Sequence, residues 1–106
     1  MANFVLLYSG GSMPETGAQQ AEVIKAWTAW YTGLGEAVVD PGNPFTPMAK
    51  NIASSGMVSE GPIGTMATGY SIIKADHLDT AVKMAKGCPV LQGGGHITVY
   101  ETFPVM

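Results

Sequence analysis

Apolar and polar residues along this chain alternate in ways that mark short strands at both ends and two helices between them. Phe4-Val5-Leu6-Leu7-Tyr8 is a nearly continuous apolar run closed by Ser9-Gly10-Gly11-Ser12. Such a run predicts a central strand covered on both faces. From His96 to Phe103 the pattern has period two, with Ile97, Val99 and Phe103 on one face and His96, Thr98, Tyr100 and Thr102 on the other. Gly69 to Lys74 reads as a strand from its β-branched and aromatic content, and Ala37 to Asp40 as a short one cut off by Pro41.

Helical period dominates from Thr16 to Ala37. Val23, Ile24, Trp27, Tyr31 and Leu34 form one stripe, Thr16 with Gln19 has the form of a capping box, and Gly33 and Gly35 are suited to ending the helix. The second helix is expected after Asp76 as its cap, with Leu78, Ala81, Val82 and Ala85 as its stripe and Gly87 as its stop. Between Pro41 and Gly69 the prolines rule out a long central strand. Met48–Ile52 and Met57–Glu60 can pair as a small hairpin across Ser54-Ser55-Gly56, or the segment is a loose excursion at the sheet edge. The order of elements predicts one α+β domain over residues 1–106, a ferredoxin-like βαββαβ unit with both helices on one face of an antiparallel sheet.

Composition changes this picture in one respect. Of the 106 residues 46% are apolar and only 12% charged, too few charges to cover a whole solvent-facing surface. A homodimer follows as the expected state, its two sheets packed face to face as a dimeric α+β barrel that can enclose a cavity. Net charge is −3, all five basic residues are lysines and no basic run occurs, which excludes nucleic acid as a partner. A lone cysteine forms no internal disulfide, and the apolar stretch at the N-terminus is too short for a signal peptide or a membrane span. A cytoplasmic protein with no membrane partner is expected.

Cys88 follows the end of a helix, where the dipole raises a thiol pKa, and reads as a small buried residue rather than a nucleophile. Gly93-Gly94-Gly95 runs from a helix into a strand, the reverse of a phosphate loop, and reads as a connector. His96 is the candidate catalytic residue: with Thr98 and Tyr100 it shares the strand face turned away from the helices, where an imidazole and hydroxyls suit an orienting pocket. Trp27, mostly a core residue, can wall a pocket entrance; with Tyr70, Cys88, Thr98 and Tyr100 it makes up the candidate ligand contacts. Two histidines and one cysteine without ligand spacing predict no metal site, and no cofactor is implied.

Several stretches resemble the YCII-related family, and its DGPF-type branch in particular. They are "FVLLYSG" near the start, "SEGPIG" at Ser59–Gly64 where the branch shows Asp-Gly-Pro-Phe, "GYSIIKADHLDTAVKMAKGCP" at Gly69–Pro89, and "GGGHITVYETFPV" at the end. The resemblance implies a dimeric α+β barrel with its site in a cleft between the helices' ends and the sheet. In the enzyme-like branch a histidine on the first helix and an aspartate before the proline after helix 2 form a proposed acid–base pair. Here the first helix has no histidine, and Cys88 stands before Pro89. The missing pair favours a protein that binds a small apolar or aromatic molecule without chemistry of its own. A lyase or isomerase using His96 as its base, and a purely structural dimerisation module, are the competing expectations.

Overall fold

The structure, a computed structural model, describes residues 1–11 and 17–105, an α+β chain with two helices and antiparallel sheets. In chain order come β1 (Ala2–Ser9), α1 (Gly17–Leu34), β2 (Val38–Asp40), β3 (Lys50–Ile52), β4 (Val58–Glu60), β5 (Ala67–Ala75), α2 (Leu78–Ala85) and β6 (His96–Glu101). Short 3₁₀ turns at Gly35–Ala37 and Pro89–Leu91 join them. Four strands make an antiparallel sheet in the order β2-β5-β1-β6, and β3 with β4 makes a separate two-stranded ribbon.

Alternation in β1 and β5 builds the core. Phe4, Leu6 and Tyr8 interleave with Ser71, Ile73 and Ala75 on the face under the helices. Ala81 and Ala85 let α2 approach that face closely, and Trp27, Trp30 and Leu34 of α1 with Ile97 and Val99 of β6 pack around it. The opposite face is only half-buried at Val5, Leu7, Tyr70 and Ile72. The apolar run at Phe4–Tyr8 therefore has one covered face in the single chain, not two.

Other sequence expectations shift for identifiable reasons. From Gly17 to Lys25 every residue of α1 is exposed, so Val23 and Ile24 leave the expected stripe and only the helix's second half reaches the core. The helix runs through Gly33 and ends at Gly35, whose φ of +57° supplies the left-handed stop. Thr16, the expected cap, lies outside the described residues. At α2 the cap position is His77 rather than Asp76, with its Nδ1 3.0 Å from Thr80 Oγ1. β6 stops at Glu101, and Phe103 is exposed beyond it instead of joining the helix-side face.

The hairpin forms as its sequence suggests. Its turn is closed by Ala53 N–H to Met57 O and Gly56 N–H to Ala53 O, both 2.8 Å. The glycine run is a connector, and Gly95 in it has no room for a side chain: a Cβ would meet the Val90 carbonyl oxygen at 2.9 Å and the Ser9 carbonyl oxygen at 3.1 Å.

Candidate functional site

Two groups of side chains deserve a chemical reading, one on each face of the sheet. On the helix side, the sheet and α1 bring together hydroxyls that lie far apart in sequence. Tyr8 OH donates to Ser71 Oγ at 2.7 Å, and Ser71 Oγ donates to the Pro41 carbonyl at 2.8 Å. Tyr31 OH also donates to Pro41 O at 2.9 Å and lies 3.0 Å from Ser71 Oγ. Trp27 stands edge-on to Tyr8 with ring centroids 5.4 Å apart, and Cys88 is buried in the same cluster as Tyr8. Trp30 donates its indole N–H to Met84 O at 3.0 Å, tying α1 to α2.

Each hydroxyl here has a partner, and each titratable group is held neutral. Burial pushes the Tyr8 phenol far above its ordinary value, and burial likewise raises Tyr31 and Cys88. Cys88 is 1% exposed, so its thiol is neither ionised nor accessible. A group that must act as a nucleophile or base needs the opposite environment. The cluster is a clamp joining β1, β5, α1 and the loop after β2. Sequence reasoning missed it, although Ser71 carried a signal: a polar residue at a core-facing position beside Ile73.

The clamp has a pH consequence. Unfolded, Cys88 and Tyr8 ionise near 9.0 and 10.0, whereas the fold keeps both protonated to higher pH. The unfolded chain sheds these protons first, so the stability they contribute is complete below about pH 9 and is lost as pH rises further. Urea midpoints should fall between about pH 8 and 11, and the pair Tyr8→Phe with Cys88→Ala should flatten that fall. A wild-type midpoint independent of pH over this range would contradict the assignment.

On the open face the register sets Ile72, Val5 and Tyr100 in one row and Tyr70, Leu7 and Thr98 in the next, with Ser9 beside His96 at the end. His96, Thr98 and Tyr100 thus share a face turned from the helices, and all three are exposed in the single chain. Tyr70 donates to Asp40 Oδ2 at 3.2 Å and stacks on Phe45 with centroids 5.8 Å apart. The hydrogen bond to the Asp40 carboxylate raises the Tyr70 phenol above its ordinary value. Asp40 Oδ1 also accepts from Gly42 N–H at 2.9 Å, which fixes the turn after β2. Of the six candidate site residues, Tyr70, His96, Thr98 and Tyr100 therefore lie on one face and Trp27 and Cys88 inside the other.

A recess of about 390 Å³ opens where α2 overhangs the free edge of β6. Leu78, Val82, Leu91 and Ile97 wall it, with Lys86 at its margin; Thr98 borders it along the strand, its side chain turned to the other face. Thr98 is the one candidate residue that lines it. Among the described residues no helix is long and apolar enough to cross a membrane, and no group of three or more His, Cys, Asp or Glu is placed to hold a metal ion. Neither a family model nor a curated protein matches this sequence.

Proposed function

We propose that this chain is a YCII-related protein of the DGPF-type branch, a ferredoxin-like subunit of a cytoplasmic homodimer that binds a small apolar or aromatic molecule. The strand order β2-β5-β1-β6, with a helix after β1 and another after β5, supports the fold assignment. The half-buried apolar face of that sheet supports pairing of two copies as a dimeric α+β barrel. The recess between α2 and β6 carries the binding reading. Its volume falls at the lower end of small-molecule sites, its walls are aliphatic, and Lys86 can orient one polar or anionic end of a ligand. The protein does no chemistry of its own: where the resemblance puts an acid stands the neutral, buried Cys88 thiol.

The test uses 8-anilinonaphthalene-1-sulfonate, which joins an aromatic body to one anionic group. The folded protein should bind it saturably at one site per chain. Leu78→Trp, at an exposed position on the recess wall, should fill the site and weaken binding at least about tenfold, and Lys86→Ala should weaken it less. Unchanged affinity in Leu78→Trp would sink the assignment of the recess.

A further inference from the structure

Between Asn43 and Met66 no residue is buried. This arm contains β3, β4 and the loops that join them to the sheet. Met48 is 82% exposed, Ile52 70%, Met57 69% and Ile63 81%. An isolated two-stranded ribbon is marginal in water, and four large apolar side chains so exposed on one short arm mark an interaction site rather than a finished exterior. The root of the arm is nonetheless fixed. Phe45 N–H donates to Thr68 O at 2.8 Å, Pro44 bridges to Gly69, and the Phe45 ring lies on Tyr70. The arm is thus held away from the body, and its apolar surface continues through Phe45 and Tyr70 onto the open sheet face.

We propose that this arm is a clasp, and that in the dimer each arm packs on the second copy of the chain. The inference rests on the reading that two open sheet faces pair. Shape, area and charge all point to the same occupant. The Cα radius of gyration is 15.3 Å against about 13 Å for a compact chain of this length, and the chain with its arm spans 44 × 39 × 19 Å, flat like one half of a larger unit. Four strands about 4.8 Å apart and some six residues long offer a footprint on the order of 400 Å². A stable pair buries about 800 Å² of accessible surface per partner, and an arm continuous with the sheet adds to the area that a pair can bury. The charged side chains between Asn43 and Met66 are Lys50 and Glu60, paired at 3.5 Å, so the arm is neutral and two copies meet without repulsion. A two-fold axis then presents the arm of each chain to the other, the reciprocal contact of an isologous interface.

Sedimentation of the full chain and of the double variant Ile52→Asp/Ile63→Asp tests this. Both positions are exposed in the single chain, so the variant should fold with an unchanged circular dichroism spectrum. The wild type should be a dimer, and the variant should raise its dissociation constant at least about a hundredfold. A dimer of unchanged affinity in the folded variant would overturn the clasp while leaving sheet pairing intact. A wild-type monomer at high concentration would overturn both. Should the variant not fold, hydrogen exchange of the wild type on dilution decides: arm amides that lose protection as the dimer dissociates support the clasp, and protection independent of concentration refutes it.

Discussion

Phe4→Ala should cost the fold about 3–5 kcal/mol, a large share of what a domain of this size possesses. Phe4 is fully buried at the middle of the sheet, opposite Ile73 on β5 and Glu101 on β6. The size of the loss depends on whether neighbours can collapse into the space. Here many of them cannot, because Ala75, Ala81 and Ala85 of the same cluster have no side-chain rotamers to spend. Val5→Ala, one residue on and facing the half-buried side, should cost less than half as much. Urea denaturation at one fixed protein concentration for all variants measures both, since self-association of any chain makes its apparent stability depend on concentration. A loss below about 1 kcal/mol for Phe4→Ala would mean that the core is not centred where the burial places it.

Gly42→Ala should be nearly as damaging, by a different route. Gly42 has φ of +73°, a region that costs an L-residue about 1–2 kcal/mol. A Cβ there would also land on the Tyr70 carbonyl oxygen, inside van der Waals contact. Backbone cannot rotate aside as a side chain does, so the turn after β2 must move off β5. That shift would break the Asp40–Gly42 hydrogen bond and displace the Pro41 carbonyl, on which both Tyr31 and Ser71 depend. Strain plus disrupted hydrogen bonds put the total near 2–4 kcal/mol. Gly33→Ala is the matching control: its Cβ meets nothing within 4 Å, φ is not positive, and it lies inside α1. It should stabilise by up to about 1 kcal/mol. Equal effects of the two substitutions would refute the close approach at Gly42.

Much of this fold was legible because it depends on local rules. The period-two pattern at His96–Glu101 put Ile97 and Val99 on the core side and left His96, Thr98 and Tyr100 on the other. The direction of the glycine run, from helix to strand, identified a connector. Where the sequence misled, a distant element decided. Val23 and Ile24 have the spacing of a buried stripe, yet nothing covers the first half of α1. Phe103 continues the alternation of β6, yet the strand has already ended.

The candidate site was less legible than the fold. Trp27 and Cys88 could be assigned to the interior, and Tyr100 and Thr98 to the open face, but not their neighbours. No spacing along the chain announces that Tyr8, Tyr31, Ser71 and the Pro41 carbonyl meet, because the contacts span up to 63 residues. The recess beside β6 is likewise made by α2 and a strand edge that converge only in space.

By itself the sequence determined the element types, the antiparallel α+β class, the prolines that keep Pro41–Met66 out of the sheet's centre, and the absence of a charge pattern for nucleic acid. These follow from backbone conformational preference, side-chain periodicity and net charge, each a property of neighbours along the chain. Only the tertiary structure decided that the thiol of Cys88 is sealed, that the hydroxyls form a clamp, and that the arm projects with its methionines and isoleucines uncovered. Burial and hydrogen bonding depend on what lies across the sheet, and periodicity specifies a face without specifying what covers it.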